Sequence, residues 1–134
     1  DAINSAESDS CEIVRDITKG RGAEVVFECA GHASTIPQLI QVGGAEAQLI
    51  VVGALRDSPP VDLFTMSRKE QSLLPTWTYR KDDFRRALNL LARGVVSSEK
   101  IITHTYSLGN VVDALSTFRA AGQAIKVILD LSGC

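Results

Sequence analysis

The residues best suited to bind a ligand follow two apolar, β-branched segments of the chain. Glu28–Gly31 comes directly after the run Val25–Phe27, and Gly53–Ala54 comes after Leu49–Val52. Glycine allows unusual backbone angles and carries no side chain, so a flat ligand ring can lie against the main chain at such a turn. In an open parallel sheet, ligands bind outside the carboxyl ends of the strands. The pattern is compatible with a binding site at both strand ends, although on spacing alone a plain turn glycine is the commoner explanation.

The chain has no motif that by itself binds phosphate or performs catalysis. No GxGxxG follows a strand and no GxxxxGK[ST] occurs, and Gly20–Gly22 precedes a strand, as a helix stop does. Glu28 fits either a structural carboxylate or a ligand contact, and the structural role is favoured. The serines lack a neighbouring histidine in any known arrangement, and there is no nucleophile elbow. We therefore predict no catalytic residue in this chain.

Cysteine and histidine are too sparse and too widely spaced for a metal site. The three cysteines do not form a disulfide framework or a CxxC pair, and the two histidines lack a second ligand at metal-site spacing. We predict small buried positions for Cys11 and Cys29, a tail position for Cys134, no metal ligand, and a reducing, cytoplasmic setting.

Composition and charge exclude several classes of partner. The chain has 134 residues, 45% of them hydrophobic, and a net charge of −2 without a block of one sign. This argues against a nucleic-acid footprint and a polybasic membrane surface. No apolar run approaches the ~18 residues of a membrane span, and no signal-peptide pattern opens the chain. Because it starts at Asp1 rather than Met, we expect its true beginning to be missing.

Apolar patterns of helical and strand period alternate along the chain, which predicts βαβ units around a parallel sheet. Four helices are expected. Ser8 or Asp9 caps the first, Ser34 or Thr35 caps the second, Asp82 caps the third, and Ser107 opens the fourth. Strands are expected at residues 24–29, 47–52, 71–79, 101–106 and 125–130, the first covered on both faces, with a short edge strand at Val61–Met66. Pro75 places the 71–79 strand at an edge or at an irregular end.

Lys126 is a lone cation within the otherwise apolar last strand. Such a side chain needs either an anionic partner or a route to solvent. A surface lysine and a phosphate contact are both compatible with the pattern, and residue type alone favours the surface lysine.

The order of several segments resembles the zinc-dependent medium-chain alcohol dehydrogenases, closest to their sorbitol and threonine dehydrogenase branch. The resemblance runs from Asp1 to about Leu131. It implies the C-terminal part of a Rossmann cofactor domain, doubly wound and mainly parallel, over residues 1–124. Residues 125–134 would form a final strand and tail that return toward a catalytic domain. The segments are Gly22–Gly31, Gly43–Gly44 with Leu49–Gly53, Thr76–Tyr79, Ile101–Leu108 and Gly122–Val127.

The resemblance implies an oxidoreductase that transfers hydride between an alcohol- or polyol-type substrate and NAD or NADP. In such enzymes, zinc polarises the alcohol oxygen. None of the family's zinc ligands matches a position of this chain, so zinc belongs to the parent protein and the isolated 134 residues are expected to be inactive.

The resemblance also implies cofactor contacts at four places. Lys126 matches a basic position near the pyrophosphate, which favours a phosphate contact there. The polyol branch often has Phe-Arg-Tyr where this chain has Trp77-Thr-Tyr79, which puts polyol specificity in doubt. The other contacts are Cys29, Ala30 and Gly31 along the adenosine side, Val52, Gly53 and Ala54 at the nicotinamide, and Thr76, Trp77 and Thr78 near the nicotinamide and the substrate cleft.

The family implies a homo-oligomer built through a sheet edge near Val61–Met66 and Gln71–Trp77. Two alternatives remain open at this point. One is a non-catalytic module that binds nucleotide or dimerises, and the other is part of a zinc-free relative of the quinone-reductase kind.

Overall fold

A computed structural model of the chain describes residues 2–120, 122 and 124–132. The chain divides into two compact units, Asp1–Thr78 and Tyr79–Cys134. Within the described ranges, no helix is long and apolar enough to cross a bilayer.

The first unit holds a three-stranded parallel sheet. Along the chain, α1 (Ser10–Ile17), β1 (Ala23–Glu28), α2 (Thr35–Val42), β2 (Gly43–Val51), α3 (Leu63–Lys69) and β3 (Ser72–Pro75) follow one another. The strands lie in the order β1-β2-β3. Glu28 pairs with Val51, and Val51 pairs with Pro75, so the strands end level with one another. The predicted parallel arrangement is confirmed for these strands.

Local signals define the ends of the first two helices. The Asp9 carboxylate accepts the N–H of Cys11 at 2.8 Å and of Glu12 at 3.3 Å, so Asp9 caps α1 as predicted. Ser34 stands at the N-cap of α2, and Gly43 ends that helix with its N–H donating to Leu39 O. Strand β2 therefore starts directly at Gly43, four residues before the predicted start.

The core of the first unit lies on one face of the sheet. Residues of α2, β2 and α3 form it: Ile36, Leu39, Ile40, Ala47, Leu49, Val51 and Met66 are buried together. Successive strand residues point to opposite faces, and the other face is open, with Val25 47%, Phe27 61% and Leu74 44% exposed. The prediction that β1 is covered on both faces is wrong for the described chain, because α2 and α3 pack on the same side.

The predicted edge strand at Val61–Met66 is wrong, because helix α3 spans Leu63–Lys69 instead. The Asp62 carboxylate accepts the N–H of Thr65 at 3.0 Å and its hydroxyl at 2.6 Å, which caps the helix. A short apolar run does not distinguish a strand from a helix turn, whereas the cap does. The next strand is shorter than predicted and ends at Pro75, on the edge of the sheet, as its proline requires.

The second unit pairs two parallel strands with a helix. It contains α4 (Lys81–Ala92), β4 (Ile102–Ser107), α5 (Val111–Arg119) and β5 (Lys126–Asp130), with short 3₁₀ turns at Ser98–Lys100 and Leu108–Asn110. Ala114 of α5 is buried. Helix α4 starts one residue before the predicted cap Asp82: Arg80 is the N-cap, and its N–H donates to Asp83 Oδ2 at 3.0 Å. Both units confirm the predicted α/β class with parallel strands.

Candidate functional site

The carboxyl ends of the three parallel strands of the first unit lie side by side. Residues 29–31 follow β1, residues 52–54 follow β2 and residues 76–78 follow β3. The level strand ends bring these segments to one edge of the sheet, hereafter the strand-end edge. It contains every residue that the resemblance assigns to the cofactor except Lys126, and parallel sheets bind ligands at such an edge.

Backbone hydrogen bonds tie the three segments together. The N–H groups of Val52 and Gly53 both donate to Glu28 O, at 2.8 and 2.9 Å. Thr76 donates to Val51 O twice, from its N–H at 2.9 Å and from its hydroxyl at 3.0 Å. The strand-end edge is therefore held by contacts between neighbouring strands.

Gly31 and Gly53 pack backbone against backbone. Gly31 has φ +69°, and a Cβ there would lie 2.9 Å from Ala54 O. A Cβ on Gly53 would collide with the N–H of Gly31 and lie 2.5 Å from Glu28 Oε2. The glycines are thus needed for the approach of the two loops to each other, a constraint that sequence reasoning did not anticipate.

The third segment presents a large aromatic surface. Trp77 is 81% exposed, and Thr78 has a left-handed backbone, with φ 51°. Since Thr76 is anchored to Val51, an exposed indole follows a fixed residue at the end of β3. The residue after β3 therefore presents a large apolar surface to its surroundings.

A cleft of about 440 Å³ opens at the ends of β1 and β2. Sequence reasoning missed three polar residues that line it, His32, Arg56 and Asp57. Their signal was position, since each follows a strand end within a few residues. The cleft also contacts Ala30, Gly31, Ala33 and Ala54.

Glu28 is the one buried charged side chain in the described ranges, with 4% of its surface exposed. Burial raises the pKa of this carboxyl, but hydrogen bonds from the Thr35 hydroxyl and from the backbone of Gly31, Ala30 and His32 outweigh burial, so the pKa lies below its usual 4.5. Its partners belong to its own turn, which agrees with the favoured structural role.

The cysteine at this edge is exposed rather than buried. Cys29 is exposed and Cys11 is partly exposed, so the prediction of buried positions is wrong for Cys29 and only partly met for Cys11. Cys29 follows the last strand residue and points away from the core because Glu28 occupies the buried position. Cys134 lies outside the described residues.

Lys126 belongs to the second unit. It is the first residue of β5, its side chain is exposed, and its backbone O accepts the Thr103 hydroxyl at 3.2 Å. Its exposure is compatible with an ordinary surface lysine and with a ligand contact, so its role as a phosphate contact stays a prediction.

Within the described ranges, no three His, Cys, Asp or Glu side chains are grouped so that they could hold a metal ion.

The three parallel strands, with their carboxyl ends level, place the first unit in the class of open, parallel-sheet α/β folds. Residues 1–93 match the family described as zinc-binding dehydrogenase. The chain therefore belongs to the zinc-binding dehydrogenase family, and the resemblance to the zinc-dependent medium-chain alcohol dehydrogenases is confirmed.

Individual relatives agree with the family. The chain is 28% identical over 129 residues to 2-dehydro-3-deoxy-L-galactonate 5-dehydrogenase of Pseudoalteromonas atlantica. This match covers 96% of the present chain and 38% of that enzyme. It is 31% identical over 131 residues to sorbitol dehydrogenase of Halalkalibacterium halodurans, which covers 96% of this chain and 37% of that enzyme.

A solved structure shares the fold. The zinc-binding dehydrogenase of Sinorhizobium meliloti 1021, solved bound to NADP, superposes with a TM-score of 0.80 at 26% identity, covering 96% of this chain and 38% of that one. The chain thus spans 37–38% of the length of these three relatives. The predicted relation to a Rossmann-type cofactor domain is confirmed at the level of the fold.

Proposed function

We propose that the whole protein transfers hydride between an alcohol- or polyol-type substrate and NAD or NADP, and that this chain supplies part of its cofactor site. The observation that supports this most directly is the strand-end edge, where three level strand ends bring the expected contact segments together. Two relatives are named as dehydrogenases of sugar-related substrates, and one solved relative holds NADP.

Each of the three strand-end segments would contact a particular part of the cofactor. In this proposal, residues 29–31 contact the adenosine side, residues 52–54 the nicotinamide, and residues 76–78 the nicotinamide and the substrate cleft. The cleft at Gly31 and Ala54 and the exposed Trp77 provide room and an apolar surface for these contacts. Lys126 would approach the pyrophosphate as a point charge, without the two-pronged geometry of an arginine.

Zinc would act in the whole protein through ligands outside this chain. When bound, the metal polarises the alcohol oxygen and so favours departure of the hydride. The part that we propose for this chain is to bind the dinucleotide and to orient its nicotinamide. On this proposal, the 134 residues alone have no turnover.

We further propose a homo-oligomer formed through the outer edge of β3. This strand is last in the order β1-β2-β3, and an outer strand edge offers backbone groups to another chain. Because residues 63–69 are helical, the proposal now rests on Ser72–Pro75 and the residues beside it. The free thiols of Cys11 and Cys29 are compatible with a cytoplasmic location.

The test is a pair of measurements on the whole protein. Calorimetric titration with NAD(H) and NADP(H) measures binding, and the absorbance of reduced nicotinamide measures turnover of sorbitol and related polyols, with and without a zinc chelator. We expect saturable binding of at least one dinucleotide and chelator-sensitive turnover of at least one alcohol. Binding without turnover of any alcohol would favour a nucleotide-binding module. Turnover that resists chelation would favour a zinc-free relative. Absence of dinucleotide binding would contradict the proposed function and both of these alternatives.

A further inference from the structure

The carboxylate of Glu28 is the centre of the turn that follows β1. Its Oε1 accepts the N–H of Ala30 and of Gly31, each at 2.8 Å, and lies 2.8 Å from the Thr35 hydroxyl. The Thr35 hydroxyl is also 2.6 Å from His32 O, and its single proton can serve one of these two acceptors at a time. One oxygen atom of Glu28 thus holds both ends of the 30–35 segment.

The second oxygen of Glu28 faces the neighbouring strand end. Oε2 is buried and has no hydrogen-bond partner within the described residues. It lies where a Cβ on Gly53 would come within 2.5 Å of it. The carboxylate therefore fills the space between the Gly31 turn and the end of β2, and it sets how closely those two segments approach each other.

This carboxylate also determines which groups of the turn face a ligand. The N–H groups of Ala30 and Gly31 are used by Glu28, so they are not free to bind an anion. A negative charge behind the turn further disfavours a phosphate there. A ligand at this turn would therefore meet its Cα atoms and carbonyls rather than these two N–H groups.

We propose that Glu28, supported by Thr35, is a positioning residue of the cofactor site. It holds residues 29–31 against residues 52–54 in the arrangement that the dinucleotide requires. This inference rests on the proposed function, because it presupposes that the strand-end edge binds a dinucleotide. Hydrogen bonds to an ionised acceptor are about twice as strong as neutral ones, so the charge of Glu28 matters as well as its shape.

The first test compares Glu28→Gln with Glu24→Gln in the whole protein. Gln keeps the size of Glu but removes the charge and places an NH₂ group in the turn. Glu24 is on the same strand and exposed, which makes it the matched control. We expect E28Q to raise the Kd and the KM for the dinucleotide about tenfold, the effect of losing one charge-assisted hydrogen bond, while kcat and the KM for the alcohol stay near wild type. E24Q should match wild type throughout.

The second test uses Thr35, in case E28Q fails to fold. Thr35→Val removes the hydroxyl and keeps the shape, and we expect several-fold weaker dinucleotide binding, in line with the loss of one hydrogen bond. Thr35→Ser retains the hydroxyl and should restore most of the lost affinity. Thermal unfolding of each variant separates weaker binding from loss of the fold.

The outcomes separate the two proposals. If the wild-type protein binds neither NAD(H) nor NADP(H), the proposed function is wrong, and this inference fails with it. If the wild-type protein binds a dinucleotide but E28Q and T35V bind it equally well, only the positioning role is overturned. The same holds if T35S binds as weakly as T35V, or if E28Q lowers kcat without changing the KM for the dinucleotide.

Discussion

At the scale of single residues, the strand-end edge depends on two glycines, because a Cβ atom on either one would collide with the neighbouring loop. Gly31 and Gly53 let two loops approach until their backbones touch, and the Glu28 carboxylate occupies the space that remains beneath them. Sequence alone identified the glycines as turn residues and Glu28 as a structural carboxylate. It could not show that Gly53 packs against the other two residues, because that contact is made between strands rather than along the chain.

Replacing Gly31 by alanine should destabilise the protein more than the same change at Gly94. Both glycines have positive φ, +69° and +67°, so both substitutions strain the backbone similarly. Only at Gly31 does the new Cβ meet a neighbour, Ala54 O at 2.9 Å, whereas Gly94 has open space. We expect G31A to cost about 1–3 kcal/mol more than G94A in the free energy of unfolding, as overpacking does. Equal losses in denaturant titrations would show that the Gly31–Ala54 contact relaxes without cost.

The Glu28 carboxyl should make stability depend on acid pH. Its pKa in the folded chain lies below the usual 4.5, so the unfolded chain binds this proton more readily in the window below that value. The stabilisation from its ionised form is therefore complete above about pH 5.5, a unit above 4.5, and is lost as the pH falls through the lowered pKa. The difference in unfolding free energy between wild type and E28Q should shrink over this range. A difference for E28Q that does not change with pH would rule out the linkage.

At the scale of elements, two aspartate caps were more informative than the apolar runs that follow them. Asp9 marked α1 correctly, and Asp62 carried an equally clear cap for α3 that the apolar run of Val61–Met66 obscured. Strands β1 and β2 were identified by their β-branched centres, and only their limits shifted. Which faces of β1 are covered could not be read from its sequence, because an apolar run is the same whether helices pack on one side or on both.

Two side chains that follow β2 in the sequence stabilise the C-terminal end of α2. Lys69 Nζ donates to Ile40 O, Gln41 O and Gly43 O, at 3.0, 3.2 and 2.8 Å. Gln71 Nε2 donates to Ile40 O and Gly43 O as well, at 3.1 and 2.8 Å. Burial and the positive charge of Arg15 lower the pKa of Lys69, yet a cation at a helix C-terminus is favourable.

Lys69→Met should weaken the fold moderately. The substitution keeps an unbranched chain but removes the donors, while Gln71 continues to satisfy two of the three carbonyls. We expect a loss of about 1 kcal/mol in unfolding free energy, the usual net value of such hydrogen bonds. Lys100→Met, at an exposed lysine, is the control and should be neutral. If K69M were as stable as K100M, Gln71 alone would suffice to cap α2.

At the scale of the whole molecule, the order of segments was the strongest signal in the sequence. No single motif defined a function, but five segments in order indicated the family, and the match of residues 1–93 bears this out. The exposed apolar face of β1 and β3 could not be predicted, because an apolar strand sequence is the same whether one face or both faces are covered. The exposed position of Lys126 likewise leaves its partner undetermined by sequence.

Lys126→Ala should weaken dinucleotide binding by the whole protein at low salt. A lysine near the pyrophosphate contributes a point charge, and salt screens that contribution. We expect the Kd for either dinucleotide to rise several-fold at low ionic strength and the difference from wild type to shrink at high salt. Lys100→Ala is the matched control from the same unit. An unchanged Kd at low salt would assign Lys126 to the ordinary surface.

The most direct measurement is a crystal structure of the whole protein with NAD(H) or NADP(H) bound. We expect the dinucleotide to lie along the strand-end edge, with residues 29–31, 52–54 and 76–78 within contact distance of it. A dinucleotide bound elsewhere, with this edge covered by another part of the protein, would contradict the account.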